Sequence, residues 1–217
     1  MLYFNSTRHY FGRVHGICKR SVKYVIQAGS TSNQRQVSSM KYAKIKKNDI
    51  ANGPGVRVSL FVSGCNHHCP GCFNQEAWDF NYGEIFTQDT IDEILEALAP
   101  DHIRGLSLLG GEPLEFVNQR GLLPLVEQMK ARYPEKTLWC YTGFDYEKDV
   151  ICDMMKKWPV TKELFRHIDV LVDGKFVQEL LNLKLRFRGS SNQRIIDIPK
   201  SLEAGKVILW EDEGRFY

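Results

Sequence analysis

Short apolar runs alternate with helical periodicities from Met40 almost to the C-terminus. Val56–Val62 reads as the first clear strand, and residues 104–109, 138–141, 168–172, 195–198 and 207–210 read as later ones. The segments between them carry a different period. After Thr87, a good N-cap residue, Ile91, Ile94, Leu95 and Leu98 recur at i, i+3, i+4 and i+7 and form one buried stripe. A second helix is predicted from about Leu123, with Pro124 in the first turn, where its missing N–H costs nothing. Val150, Ile151, Met154, Met155 and Trp158 share one face of a third.

Regular alternation of strand and helix predicts an α/β fold in which parallel strands are joined by right-handed crossovers. Residues 40–217 are too few for a closed eight-fold barrel, which takes about 250. An open, partial (βα) barrel of about five or six parallel strands fits the length. Four irregular segments then become informative, because Gly64-Cys65, Gly110-Gly-Glu-Pro113, Thr142-Gly143 and Asp173-Gly174 each directly follow a strand. All four are expected on one rim, at the carboxyl ends of the strands, where such sheets place their ligand sites.

The 217 residues suit one domain with an extension. No apolar stretch approaches the roughly 20 residues that a membrane span needs, and the start lacks the apolar region of a secretory signal. A cytoplasmic location without membrane attachment is the expectation. The net charge of +3 hides an asymmetry: residues 1–39 hold six Lys and Arg and no Asp or Glu, so residues 40–217 carry 23 basic against 26 acidic side chains. That mildly acidic domain gives no reason to expect a nucleic-acid partner. The basic leader 1–39 has three readings: a dispensable or misassigned start, a solvated basic arm, and a transit peptide. The working domain is expected to begin at Met40, where the composition changes.

Three cysteines crowd into one loop, Cys65-Asn-His-His-Cys69-Pro-Gly-Cys72, directly after the first strand. Thiolates at this spacing can wrap one cubane iron–sulfur cluster, and a purely electron-carrying cluster takes four cysteine ligands. The next cysteine, Cys140, stands far along the chain, which leaves one iron open for a substrate or cofactor. A structural zinc site completed by His67 or His68 is the alternative, although zinc modules usually bring a second ligand pair. Otherwise both histidines read as loop residues that face solvent or tune the polarity of the cluster. Cys140 and Cys152 fall in strand and helix patterns and read as buried small hydrophobes. Gly110-Gly-Glu-Pro113 alone is an ordinary turn and helix start. Beside the cysteines it becomes a candidate ligand site: two glycines let a ligand approach the backbone, and their carbonyls with the Glu112 carboxylate would attract an ammonium group.

The cysteine triad followed by this turn resembles the radical S-adenosylmethionine enzymes. Asn52-Gly-Pro-Gly55, Cys72-Phe-Asn74 with Trp78, Tyr141-Thr-Gly143, Val170-Leu-Val-Asp-Gly-Lys-Phe176 and Arg188-Gly-Ser-Ser-Asn-Gln193 are similar, in order and spacing, to one branch of them, the activases of anaerobic ribonucleoside-triphosphate reductase. The resemblance covers residues 40–217. It implies a [4Fe–4S] cluster held by Cys65, Cys69 and Cys72, with S-adenosylmethionine chelating the fourth iron through its amino and carboxylate groups. It implies further that an electron from flavodoxin or ferredoxin cleaves the sulfonium carbon–sulfur bond. The resulting 5′-deoxyadenosyl radical then takes a hydrogen atom from one glycine of the reductase large subunit. By motif position, Gly71, Cys72 and Phe73, together with Gly110, Gly111 and Glu112, contact S-adenosylmethionine. Many radical enzymes place an aromatic residue immediately before the third cysteine to flank the adenine. Here Gly71 stands there, and Phe73 is read either as a substitute or as ordinary packing. Asp173 is left between a polar contact to the cofactor and a capping or turn role. Residues 188–193 are left between ordering around the cofactor or partner and a plain surface loop. An activase of another glycyl radical enzyme, such as pyruvate formate-lyase, is the nearest alternative. A non-catalytic iron–sulfur or zinc module that binds a partner is the alternative of another class.

Overall fold

Strand β2 (Val56–Val62) shows why the sheet takes the form it does: Val58, Leu60 and Val62 are fully buried on one face, and Arg57 and Ser59 are fully buried on the other. A strand covered on both sides belongs in the middle of a sheet. The computed structural model describes residues 40–212, so the leader expected over 1–39 lies outside the described residues. The strands are β1 (Lys41–Asp49), β2, β3 (Glu84–Ile85), β4 (Ile103–Gly110), β5 (Thr137–Tyr141), β6 (Val170–Asp173) and β7 (Arg194–Asp197). They form one sheet in the order β3-β1-β2-β4-β5-β6-β7. Only β2, β4, β5 and β6 pair in parallel with one another; on one edge β1 pairs antiparallel with β2 and β3 pairs antiparallel with β1, and on the other edge β7 pairs antiparallel with β6. The α/β class holds, and the expected five or six parallel strands are corrected to four.

The crossovers are α1 (Gln88–Leu98), α2 (Phe116–Arg132), and a π-helical segment Tyr146–Met154 continued by α3 (Met155–Lys157) and α4 (Pro159–Phe165). A last helix, α5 (Ile198–Ala204), follows β7. Helix α1 starts as expected, with the Thr87 side chain accepting from Thr90 N–H in a capping box. Helix α2 starts a full two turns before Leu123, and Pro124 lies in its interior. Its buried stripe begins with Asn118 and Gln119, polar residues that an apolar period does not register. Asn118 Nδ2 donates to the Ser63 and Glu112 carbonyls, although its Oδ1 has no partner among the described residues, and Gln119 donates through Nε2 to the Leu114 carbonyl and accepts from the Thr161 hydroxyl.

Trp158 leaves the third stripe because Pro159 follows it and pushes it into extended backbone, at φ −123° and ψ 109°. Residues 195–198 split, with Ile198 opening α5 after the Asp197 side chain caps Lys200 N–H. Residues 207–210 make a single bridge, Ile196 to Leu209, in place of the expected strand. The chain after β6 turns back at the rim through residues 174–193, and this return makes β7 antiparallel.

Helices cover one face of the sheet, where Leu60, Leu106, Leu108, Leu138 and Leu171 meet Ile94, Leu98, Leu125, Met129 and Phe165. The opposite face carries a smaller cluster of Trp139, Val170 and Val172 under Phe187 and Trp210. Beside it the Arg57 guanidinium ties three strands, donating to Ser107 Oγ at 2.8 Å, Thr137 Oγ1 at 2.9 Å and the carbonyls of Leu106 at 2.9 Å and Thr137 at 2.8 Å. Burial pulls the Arg57 pKa down to about 10, which still leaves it charged near neutrality. Arg57→Ala strips two buried carbonyls of a donor and opens a void, so urea unfolding should show a loss of about 3 kcal/mol or more. A loss below about 0.5 kcal/mol, the range of a surface substitution, would reject the cross-strand role.

Candidate metal centre

Because β2, β4, β5 and β6 run the same way, the segments that follow them emerge on one rim. There each of the four expected segments contributes to the wall of a cavity of about 340 Å³, through Cys65, Gly110 to Glu112, Thr142-Gly143 and Gly174, and Cys69 and Cys72 line it as well. The cysteine loop is anchored at its root by Gly64 N–H to the Ala77 carbonyl and Cys65 N–H to the Trp78 carbonyl. Further along, Cys72 N–H donates to the Cys69 carbonyl and Asn74 N–H points at Cys72 Sγ, 3.4 Å away. Gly71 sits at φ +70° with Gln178 close by; a side chain there would combine strain with a clash. Cys65 is buried, and burial raises its thiol to about 11, with the Glu112 charge adding to the effect. Burial raises Cys69 as well. Thiols so placed stay protonated until a cation displaces the proton, as metal coordination does.

The expectation for Glu112 changes in the structure. Its carboxylate, 1% exposed, takes four contacts: Leu114 N–H at 2.8 Å and Thr142 O–H at 2.8 Å on Oε1, Gly143 N–H at 2.8 Å and His67 Nε2 at 3.0 Å on Oε2. Two oxygens offer about four lone-pair sites, and all are engaged. The carboxylate therefore has no acceptor left for an ammonium group; it joins the turns after β2, β4 and β5. The backbone adds to the join, with Gly111 N–H on the Val62 carbonyl at 2.7 Å and Glu112 N–H on the Gly64 carbonyl at 2.8 Å. Only glycine fits at 111, since a Cβ would stand 2.6 Å from the Gly64 carbonyl oxygen.

Residues 51–196 match a family described as a 4Fe-4S single cluster domain. The anaerobic ribonucleoside-triphosphate reductase-activating protein of Enterobacteria phage T4 is 41% identical over 156 residues, covering 72% of this chain and 93% of that protein. The proteins of the same name from Vibrio cholerae serotype O1 and Escherichia coli K12 are each 42% identical, over 158 and 156 residues, covering 72% and 71% of this chain and 97% and 96% of theirs. The chain belongs to the family of anaerobic ribonucleoside-triphosphate reductase-activating proteins. It therefore carries a 4Fe-4S cluster domain, and the loop of three cysteines lies within the matched residues.

His67, paired with Glu112, also packs edge-on against Phe144, and His68 packs edge-on against Trp78. Cys140 lies in the helix-side core, and Cys152 is half-buried in the π-helical segment. Asp173 takes the capping role: it is 1% exposed, accepts from Tyr146 N–H at 3.0 Å, and pairs with the Arg194 guanidinium. Residues 188–193 order themselves, since Gln193 Oε1 accepts from Gly189 and Ser190 N–H and Arg188 Nη1 donates to the Gln193 carbonyl. Phe73 is 69% exposed at the cavity edge against Phe176, which removes the ordinary-packing reading. Gly110 and Gly111 line the cavity as expected. Sequence reasoning missed Asn118 and the part played by the Thr142 hydroxyl; Thr142-Gly143 stood out only as a rim segment after a strand and as part of a motif in the resemblance.

Hydrogen bonds to a charged group are worth about 1.5–3 kcal/mol each, and Glu112→Gln turns one acceptor oxygen into a donor facing other donors. Urea unfolding of the metal-free variant should show a loss of about 2 kcal/mol or more. Unchanged stability would mean that the four contacts do not hold the rim.

Proposed function

We propose that the chain is a radical S-adenosylmethionine oxidoreductase that activates anaerobic ribonucleoside-triphosphate reductase, acting on an open partial (βα) barrel of the radical S-adenosylmethionine type. Cys65, Cys69 and Cys72 would hold the [4Fe–4S] cluster. The observation that carries the reading is three cavity-lining cysteines with no fourth beside them among the described residues: Cys140 is in the core on the helix side, and the His67 ring is committed to Glu112. Three thiolates suit a cluster with one iron free for a ligand. When bound, the cluster and S-adenosylmethionine supply reductive sulfonium cleavage and the 5′-deoxyadenosyl radical that leaves a glycyl radical on the reductase; the protein supplies placement.

The protein's own residues divide that placement. Gly110 and Gly111 present backbone to the cavity opposite the cysteines, and they take over the role first given to the Glu112 carboxylate of meeting the ligand's ammonium group. Glu112 acts through them, by fixing the turn. Cys72 and Phe73 line the same space from the cysteine loop, next to Gly71, which packs against Gln178 and is not itself a lining residue; the exposed Phe73 ring is free to lie along an adenine. Tyr141 lines the cavity with a buried hydroxyl that has no partner among the described residues, a polar contact for a ligand. Leu109, Phe176 and Phe187 supply apolar wall, which keeps water and stray hydrogen donors away. The low-potential electron donor is flavodoxin or ferredoxin. No helix among the described residues is long and apolar enough to cross a membrane.

Anaerobic reconstitution should load about four irons and four sulfides per chain, as one cubane cluster requires. With dithionite the loaded protein should convert S-adenosylmethionine to methionine and 5′-deoxyadenosine. Cys65→Ala, Cys69→Ala and Cys72→Ala should each abolish both results, and Cys140→Ala neither. Stoichiometric zinc without iron absorption would overturn the proposal.

A further inference from the structure

Between β6 and β7 the chain leaves the sheet as a hairpin. Its arms are joined by a bridge from Leu181 to Ser190, by Ser191 N–H to the Leu180 carbonyl, and by Asn182 N–H to the Gly189 carbonyl. The two sides of this hairpin face different surroundings. Inward, Leu185, Phe187 and Arg188 form part of the cavity wall. Phe187 adopts φ +59°, a left-handed conformation that bulky residues rarely take, and its ring meets Trp139 at 5.4 Å and Trp210 at 6.4 Å. Outward, Leu183 is 87% exposed at the tip, with Leu180 and Leu181 at 42% and 41%. Large apolar side chains grouped in this way on the outer side of a cavity wall mark an interaction surface.

The charge of the segment selects the partner. Residues 180–193 contain Lys184, Arg186 and Arg188 and no acidic residue. Arg186 is neutralised by Asp212 at 2.6 Å, and Arg188 turns back to the Gln193 carbonyl, which leaves exposed Lys184 beside Leu183 as the charge a partner meets. We infer that the outer face of hairpin 180–191 docks the reductase, through an apolar patch bordered by carboxylates on that enzyme. The inference rests on the proposed function: the glycine to be modified belongs to another protein, whose chain must enter the cavity past the element that walls it. Docking on the outer face would bring that entry within reach of Phe73 and Phe176 at the cavity edge.

Binding of the full-length, cluster-loaded protein to the reductase of the same source, followed anaerobically by biolayer interferometry, tests this. Leu183→Asp and Lys184→Glu should each weaken binding about tenfold or more, as loss of an interface anchor does. Iron content and dithionite-driven cleavage of S-adenosylmethionine without reductase should stay at the unmodified level. Leu180→Ser repeats the test without adding charge. Binding that is unchanged in all three variants would overturn the inference. So would failure of the unmodified protein to bind, or a dimer of this chain that Leu183→Asp converts to monomer, which would assign the face to a second copy. Docking is read without turnover, so absence of S-adenosylmethionine cleavage alone would count against the proposed function and leave the docking result standing.

Discussion

The Glu112 carboxylate ties the rim together, because it receives Leu114 and Gly143 N–H, the Thr142 hydroxyl and the His67 ring at one nearly inaccessible point. A buried charge is costly unless it is fully hydrogen-bonded, and four short contacts offset that cost. The geometry leaves little freedom. Moving the turn after β4 breaks contacts to the turn after β5 and to the cysteine loop together. The Asn118 amide closes the same junction from below, donating to the carbonyls of Ser63 and Glu112. Three elements that would otherwise be independent loops therefore present one rigid edge to the cavity, as a constellation of metal ligands and cofactor contacts requires.

A second tie fixes the opposite side of the cavity. Arg194 on β7 pairs with Asp173 on β6 and with Glu147, while Asp173 caps the π-helical segment at Tyr146 N–H. The carboxylates hold the guanidinium strongly enough to push its pKa above the usual arginine value. This pairing sets the base of the excursion 174–193. The hairpin can then stand over the cavity on its own side-chain-to-backbone bonds and still present its leucines outward.

The two faces of the sheet do different work. Helices α1, α2 and α4 press aliphatic residues onto one face, and that burial supplies most of the driving force for folding. The other face holds Arg57, Ser59 and Ser107, polar groups that bond to one another, to backbone or, for Ser59, to the Asp49 carboxylate. They tie the strands beside the Trp139 cluster, and the cavity lies at the carboxyl ends of those strands.

The sequence by itself determined whatever depends on short spacing. The three-cysteine loop, the runs of β2, β4, β5 and β6, the stripe of α1 and the turns after those four strands were legible, because the cause of each lies within a few residues; β1 and β3 were not read, and 207–210 makes only a bridge. Tertiary structure decided what depends on distant partners. His67 and Glu112 are 45 positions apart, and Thr142 and Glu112 are 30. Nothing local at Glu112 shows that its lone pairs are already taken. The early start of α2 was hidden for a related reason, since Asn118 and Gln119 are buried only because carbonyls from other elements accept from them. Likewise β7 runs antiparallel because the hairpin returns the chain at the rim, and Asp173 is a cap because Arg194 and Tyr146 arrive beside it. Local pattern fixes which residue types stand together along the chain; long-range hydrogen bonding decides which of them remain free to meet a ligand.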